Sequence, residues 1–170
     1  LFENLRAIYE PFNQSRRILG FDTFKGYPSV SDKDKKSGTI KVGGYKVAEQ
    51  YDSYLKDLIN YHEENNVLGN IKKHSLIKGD VSITVPKYFK ENPDNVIALA
   101  YFDMALYEPT KSALLAIKNH LMPGSVLMMD ELNNSDYPGE TKAFKEVFKG
   151  KNFELVKSQY MTDRTFVILK

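Results

Sequence analysis

Apolar positions along the chain change period several times, and each change marks an element. Leu1, Leu5 and Ile8 follow helical spacing with Phe2 and Tyr9 beside them, which predicts a helix over 2–10 stopped by Pro11. Residues 17–22 form a short apolar strand ending in an acid. A turn-rich stretch through Gly26, Gly38, Gly43 and Gly44 follows. Residues 45–65 then predict a long amphipathic helix with Val47, Tyr51, Tyr54, Leu55, Leu58 and Ile59 near one face. A weaker strand over 71–78 closes on Gly79-Asp80, and 81–91 predict a short helix with Pro86 near its first turns. The clearest strand is 96–102.

The second half repeats the alternation. Residues 109–121 predict a helix whose buried stripe is Ala113, Leu114, Ile117 and Leu121, terminated by Pro123-Gly124. A strand over 125–129 and a helix over 137–148 come next. Runs at 153–160 and 165–169 alternate apolar and polar residues without an intervening helix, so they read as an antiparallel pair. Alternating strands and helices predict one α/β domain over 1–170: a doubly wound, mostly parallel sheet ending in an antiparallel hairpin.

Composition narrows the function classes. The chain has 170 residues, 42% of them hydrophobic, enough for one substantial core. Its 24 Lys plus Arg nearly balance 22 Asp plus Glu, and no basic tract with interleaved aromatics suggests nucleic acid. The mixed run Asp32-Lys-Asp-Lys-Lys36 reads as a solvated loop. Without cysteine there are neither disulfides nor thiolate metal ligands. No apolar run has the length of a membrane span, so the expectation is a soluble, cytoplasmic protein without a membrane partner.

Candidate chemistry lies at the predicted strand ends, where open α/β sheets form their ligand crevice. Asp103 closes one strand and Asp130-Glu131 the next. Converging carboxylates must recruit a cation or share protons, and hard cations such as Mg²⁺ take oxygen ligands. The alternative is an ordinary capped loop. Asp22 either accepts the ribose hydroxyls of a nucleoside ligand or bonds its own turn. Asp80, after Gly79, either meets a base or caps the following helix. An aspartyl phosphatase would need an acid at the position of Phe24. A nicotinamide-dependent dehydrogenase would need its own Gly-rich turn and no carboxylate trio. His62, His74 and His120 lack metal-ligand spacing to one another and read as structural.

At Gly20-Phe-Asp-Thr-Phe-Lys-Gly-Tyr-Pro28 the chain resembles the macrocin O-methyltransferase family. The likeness continues through Ala98-Leu-Ala-Tyr-Phe-Asp-Met-Ala-Leu-Tyr-Glu-Pro-Thr110, Leu121-Met-Pro-Gly124, Met129-Asp-Glu131 and Tyr137-Pro-Gly-Glu140, over about residues 4–148. The resemblance implies a Rossmann-like methyltransferase sheet of seven strands with a terminal hairpin. It implies S-adenosylmethionine as cofactor, held by Asp22, Thr23, Gly79, Asp80 and Asp103. A divalent metal, usually Mg²⁺, would be held by Asp103, Asp130 and Glu131, and the acceptor would be a sugar-like small molecule. It names no general base, and it leaves room for a homo-oligomer.

Members of that family carry an earlier, central strand with a Gly-rich turn that holds the methionine part of the cofactor. This chain starts at Leu1, inside or just before a helix, and the expectation is that its first strand is missing. Loss of a central strand exposes two ladders of backbone groups, so the 170 residues alone should be poorly folded or tied up in an oligomer. The competing reading is a non-catalytic α/β domain that kept the fold and lost cofactor binding.

Overall fold

The computed structural model describes residues 1–35 and 37–170; Lys36, the last of the mixed-charge run, lies outside the described residues. The elements alternate as the hydrophobic pattern predicts. In chain order they are α1 (Phe2–Tyr9), β1 (Ile18–Asp22), α2 (Tyr51–Glu64), β2 (His74–Lys78), α3 (Val81–Glu91) and β3 (Ile97–Phe102). Then follow α4 (Tyr107–Ile117), β4 (Leu121–Met129), α5 (Pro138–Val147), β5 (Phe153–Lys157) and β6 (Thr165–Leu169). No described helix is long and apolar enough to cross a membrane.

The strands form two sheets rather than one. β1 pairs in parallel with β2, from Ile18 opposite His74 to Asp22 opposite Lys78. The second sheet has the order β3-β4-β6-β5: β3 and β4 are parallel, while β6 runs antiparallel to both β4 and β5. The terminal hairpin is therefore present, and the architecture is α/β with parallel pairs and an antiparallel end. Between β1 and β3 lies a groove of about 1540 Å³, lined by Ile18 to Asp22 on one side and Val96 to Phe102 on the other.

The core sits on one face of the larger sheet. Phe102, Leu127, Met129 and Val167 point into it and meet Val85 and Phe89 of α3, Ala113, Leu114 and Ile117 of α4, and Phe144 of α5. On the other face α1 reaches β3, where Phe2 packs edge-on against Tyr101 at 6.3 Å. The expectation of a fully buried β3 fails at Leu99, which is 45% exposed because the neighbouring edge is open to the groove.

Three predicted boundaries shift for local reasons. The helix expected over 45–65 begins at Tyr51, because Gln50 takes a left-handed φ of 63° and ends the preceding turn. Tyr54 and Leu58, placed on its apolar face, stay exposed. Pro123-Gly124 does not terminate α4, which already ends at Ile117; it lies within β4. There the β3–β4 register slips between Ile97 and Leu99. Ser125 stitches the irregularity, donating its hydroxyl to the Ile97 carbonyl at 2.6 Å and accepting from the Met122 N–H at 2.9 Å. The strand expected over 71–78 is shorter and starts at His74.

Leu127, fully buried on the central strand β4, should be the most sensitive apolar position. Leu127→Ala is expected to cost about 3 kcal/mol, the scale of a core cavity with lost transfer free energy. A shift in the urea midpoint at constant slope would measure it.

Candidate active site at the strand ends

At the β1–β2 end, the Gly79 N–H donates to the Asp22 carbonyl at 2.9 Å, which brings the two turns side by side. Asp22 Oδ1 accepts from the Phe24 N–H at 2.6 Å, and Phe24 is held at a φ of 57°. The Thr23 hydroxyl donates to the Gly26 carbonyl at 2.7 Å and accepts from the Lys25 N–H at 3.1 Å. Asp80 caps α3, its Oδ1 accepting from the Ser82 N–H at 2.8 Å. Gly79 turns the chain at a φ of 146° that a side chain would resist. The structural roles foreseen for Asp22 and Asp80 are thus realised, and both side chains still line the groove.

The β3–β4 end carries the acids. The Asp130 N–H donates to the Phe102 carbonyl at 3.0 Å, so Asp103 and Asp130 leave adjacent strands at the same level. Asp103 is exposed and accepts the Tyr101 hydroxyl at 3.3 Å. Asp130 is buried and faces Arg164, from the turn between β5 and β6. The backbone N–H of Glu131 donates to Glu140 Oε1 at 2.9 Å, and the Asn134 amide donates to the Glu131 carboxylate.

The local field is strongly negative. Burial raises the Glu131 carboxyl above its usual range, and the charges of Asp163 and Asp103 add to the shift. Glu140, completely buried at the start of α5, is pushed up to about 8 by burial, with the charges of Glu131 and Asp103 adding to it. Partly desolvated carboxylates gathered at one strand end are oxygen donors of the kind a hard cation takes. The spacing is looser than the sequence suggested. Among the described residues, the trio of ligand atoms all within 4.8 Å of one another is Glu3, Glu63 and His74, not Asp103, Asp130 and Glu131. Asp130 is turned to Arg164, whose guanidinium takes the place of a cation at that carboxylate. The donor set fits a divalent ion in chemistry and in shared location, with Asp130 having to exchange Arg164 for it.

The Glu3, Glu63 and His74 group is a closed ion-pair cluster. Arg6 donates to Glu3 at 2.7 Å and to Glu63 at 3.4 Å, and Lys73 places its ammonium 3.5 Å from Glu63. His74 Nδ1 lies 2.6 Å from Glu63, and its Nε2 lies 3.0 Å from Asn60 Oδ1. Two buried cations already balance two buried carboxylates, so a divalent ion would add uncompensated charge. The cluster ties α1 to α2 and β2, and His74 is structural, as its spacing indicated.

Sequence reasoning missed Arg164 and the part played by Glu140. Nothing in local spacing pairs Arg164 with Asp130, because β6 must first dock antiparallel on β4. Glu140 had one signal, an acid in the first turn of a Pro-initiated helix, but its partner is the Glu131 backbone nine residues away. The mixed-charge run also proves less solvated than expected. Asp34 Oδ1 accepts the Tyr107 N–H at 2.8 Å at the start of α4, and the Lys33 ammonium meets the Tyr107 hydroxyl at 2.6 Å.

Comparison with known proteins puts this geometry in context. The fold is that of the class of α/β methyltransferases. A crystal structure of CalS11, calicheamicin methyltransferase, superposes with a TM-score of 0.90 at 42% identity, covering 98% of this chain and 65% of that one. An apo structure of CalS11, described as TDP-rhamnose 3'-O-methyltransferase, gives 0.81 at 38% identity, covering 98% and 64%. The O-methyltransferase NovP shares the fold at a TM-score of 0.61 and 18% identity, over 91% and 60%. The chain therefore spans just under two thirds of the length of CalS11. No family model matches the chain. No curated protein matches it either.

Glu63→Gln should unbalance the buried cluster by leaving Arg6 and Lys73 short of a counter-charge. A stability loss of about 3 kcal/mol is expected from chemical denaturation, the range for breaking a buried pair from one side.

Proposed function

We propose that this chain belongs to an S-adenosylmethionine-dependent O-methyltransferase acting on a hydroxyl of a sugar or sugar-bearing small molecule. The observation that carries the reading is the groove: strand-end carboxylates from both sheets line it, in a chain 42% identical to the calicheamicin methyltransferase. The narrower kinship with the macrocin O-methyltransferases rests on the motifs around Asp22, Asp103 and Asp130. A cytoplasmic location belongs to the same reading.

In this proposal Asp22 accepts the ribose hydroxyls, with Thr23 and Gly79 shaping the turns beside it, and Asp80 lies towards the base. Asp103, Asp130 and Glu131 hold a divalent cation, with Asp103 also facing the cofactor. When bound, the sulfonium donor supplies an electrophilic methyl group and the cation supplies Lewis acidity that lowers the pKa of a hydroxyl. The chain's own part is positional: its two sheets hold the cofactor side and the acceptor side at fixed separation, which favours in-line approach. Glu140 fixes the Glu131 backbone and so the direction in which that carboxylate faces.

The groove is larger than the usual 300–1,000 Å³ or so of a small-molecule site. We assign its inner part to a further extended segment lying between β1 and β3. Both strands present edges there, β1 pairing elsewhere with β2 and β3 with β4. Such a strand would join the two sheets and satisfy their open ladders.

Three outcomes test the assignment. Asp22→Ala should weaken S-adenosylmethionine binding by about 1–2 kcal/mol, the value of hydrogen bonds to a charged group. Unchanged affinity in calorimetry would remove Asp22 from the site. Excess chelator should abolish methyl transfer and added Mg²⁺ restore it, while Asp103→Asn should abolish transfer with donor affinity less affected. Full turnover in chelator, with product identified by mass spectrometry, would return the three acids to a structural role.

A further inference from the structure

Three tyrosines from separate stretches meet at the acidic end of the groove. Tyr27 follows β1, Tyr45 precedes α2, and Tyr137 caps α5; all three line the groove with Asp103 and Glu131. The Tyr45 and Tyr137 hydroxyls share a hydrogen bond of 2.8 Å. The rings of Tyr27 and Tyr45 lie 5.4 Å apart at 61°, forming a corner rather than a parallel slot. Burial first, then Tyr45, Tyr137, Asp103 and Glu131, hold the Tyr27 phenol above its ordinary pKa, which marks its closeness to those carboxylates.

The corner is held in place. The Tyr27 N–H donates to the Gly44 carbonyl at 3.0 Å, and the Gly43 N–H donates to the Tyr27 carbonyl at 2.9 Å. Gly26 permits this approach: at a φ of 76°, a Cβ there would meet the Gly43 backbone at 2.9 Å. Ile40 is buried beneath the same loop, and Asp34 ties it to α4. Yet Tyr45 is 61% exposed and held at a φ of 58°, a strained setting for a large side chain that core packing does not require.

We propose that Tyr27, Tyr45 and Tyr137 form the acceptor's seat, on which the C–H face of a pyranose ring rests while its hydroxyls turn to Asp103 and Glu131. This deepens the O-methyltransferase reading and rests on it. A corner of rings at 61° fits the stepped faces of a chair-form sugar, whereas a planar phenolic acceptor would call for a parallel clamp. The phenol oxygens of Tyr45 and Tyr137 add polar partners at the rim. Tyr45 and Tyr27 thus set specificity, by position rather than by chemistry.

The test uses the full-length protein with TDP-rhamnose, the sugar nucleotide named for CalS11. Tyr45→Ala and Tyr27→Ala should each raise KM for TDP-rhamnose about tenfold, the worth of one good aromatic contact, without raising KM for S-adenosylmethionine. Tyr45→Phe keeps the ring and should recover most of the loss. Saturation-transfer NMR gives a readout independent of turnover: sugar C–H protons should be saturated by the unmodified protein and lose that signal in Tyr45→Ala. Absence of TDP-rhamnose binding, or binding and KM unchanged in both alanine variants, overturns the seat. Failure of the unmodified protein to bind S-adenosylmethionine in calorimetry instead overturns the methyltransferase reading beneath it.

Discussion

The parallel pairing of β3 with β4 is the constraint from which the acidic site follows. Phe102 lies opposite Met129, so the next residues, Asp103 and Asp130, must leave the sheet side by side. The pairing is secured from below by Leu127 and Met129 in a core shared with α3, α4 and α5. Hydrophobic burial thereby holds together carboxylates that would otherwise move apart. The repulsion does not vanish. It adds to the burial that raises the Glu131 and Glu140 carboxyls, and it is answered by the attraction of Arg164 to Asp130.

The split sheet follows from similar reasoning about backbone groups. β4 is paired on both sides and its inward residues are fully buried, whereas β1 and β3 each have one neighbour. At the groove, Leu99 and the β1 residues stay partly exposed although their composition is that of a two-sided interior strand. Apolar side chains and unpaired edges on facing walls are what an interior strand would cover. The dimensions of the groove and the character of its walls both accord with the strand proposed between β1 and β3.

Much of this was legible in the sequence, for identifiable reasons. α3 and the hairpin strand β6 have the expected bounds, because Asp80 caps one and clean alternation marks the other. Asp103, Asp130 and Glu131 stand directly after β3 and β4 as read from the sequence, because strand ends can be counted from apolar runs. What failed needed three-dimensional knowledge. Pro123-Gly124 looks like a helix stop, yet it sits in a strand whose irregular register is stitched by Ser125, a bond to a residue 28 positions away. The apolar stripe expected on α2 stays largely uncovered: Tyr51, Tyr54 and Leu58 are exposed, and the buried residue of the helix is Glu63. The seven-strand sheet implied by resemblance exceeds the six strands of the described residues, which are divided between two sheets.

Backbone strain supplies an independent pointer to where function lies. Phe24, Ala105 and Asn133 adopt positive φ angles in the turns that follow β1, β3 and β4, and Tyr45 does so across the loop from Tyr27. Non-glycine residues in that region cost about 1–3 kcal/mol each, and they persist only where the surroundings over-determine them. Core packing accounts for Ala105, which is buried, but not for the rest: Phe24 is half-buried, while Asn133 and Tyr45 are exposed. These four, of six such non-glycine residues described, lie towards the same end of the strands as the carboxylates, while Gln50 and Leu68 flank α2. A fold selected for stability alone would have relaxed Phe24, Ala105 and Tyr45 with glycine or asparagine, as Gly79 and Asn133 do at the ends of β2 and β4. Their retention argues that side-chain direction at this rim matters more to the protein than the stability it forgoes.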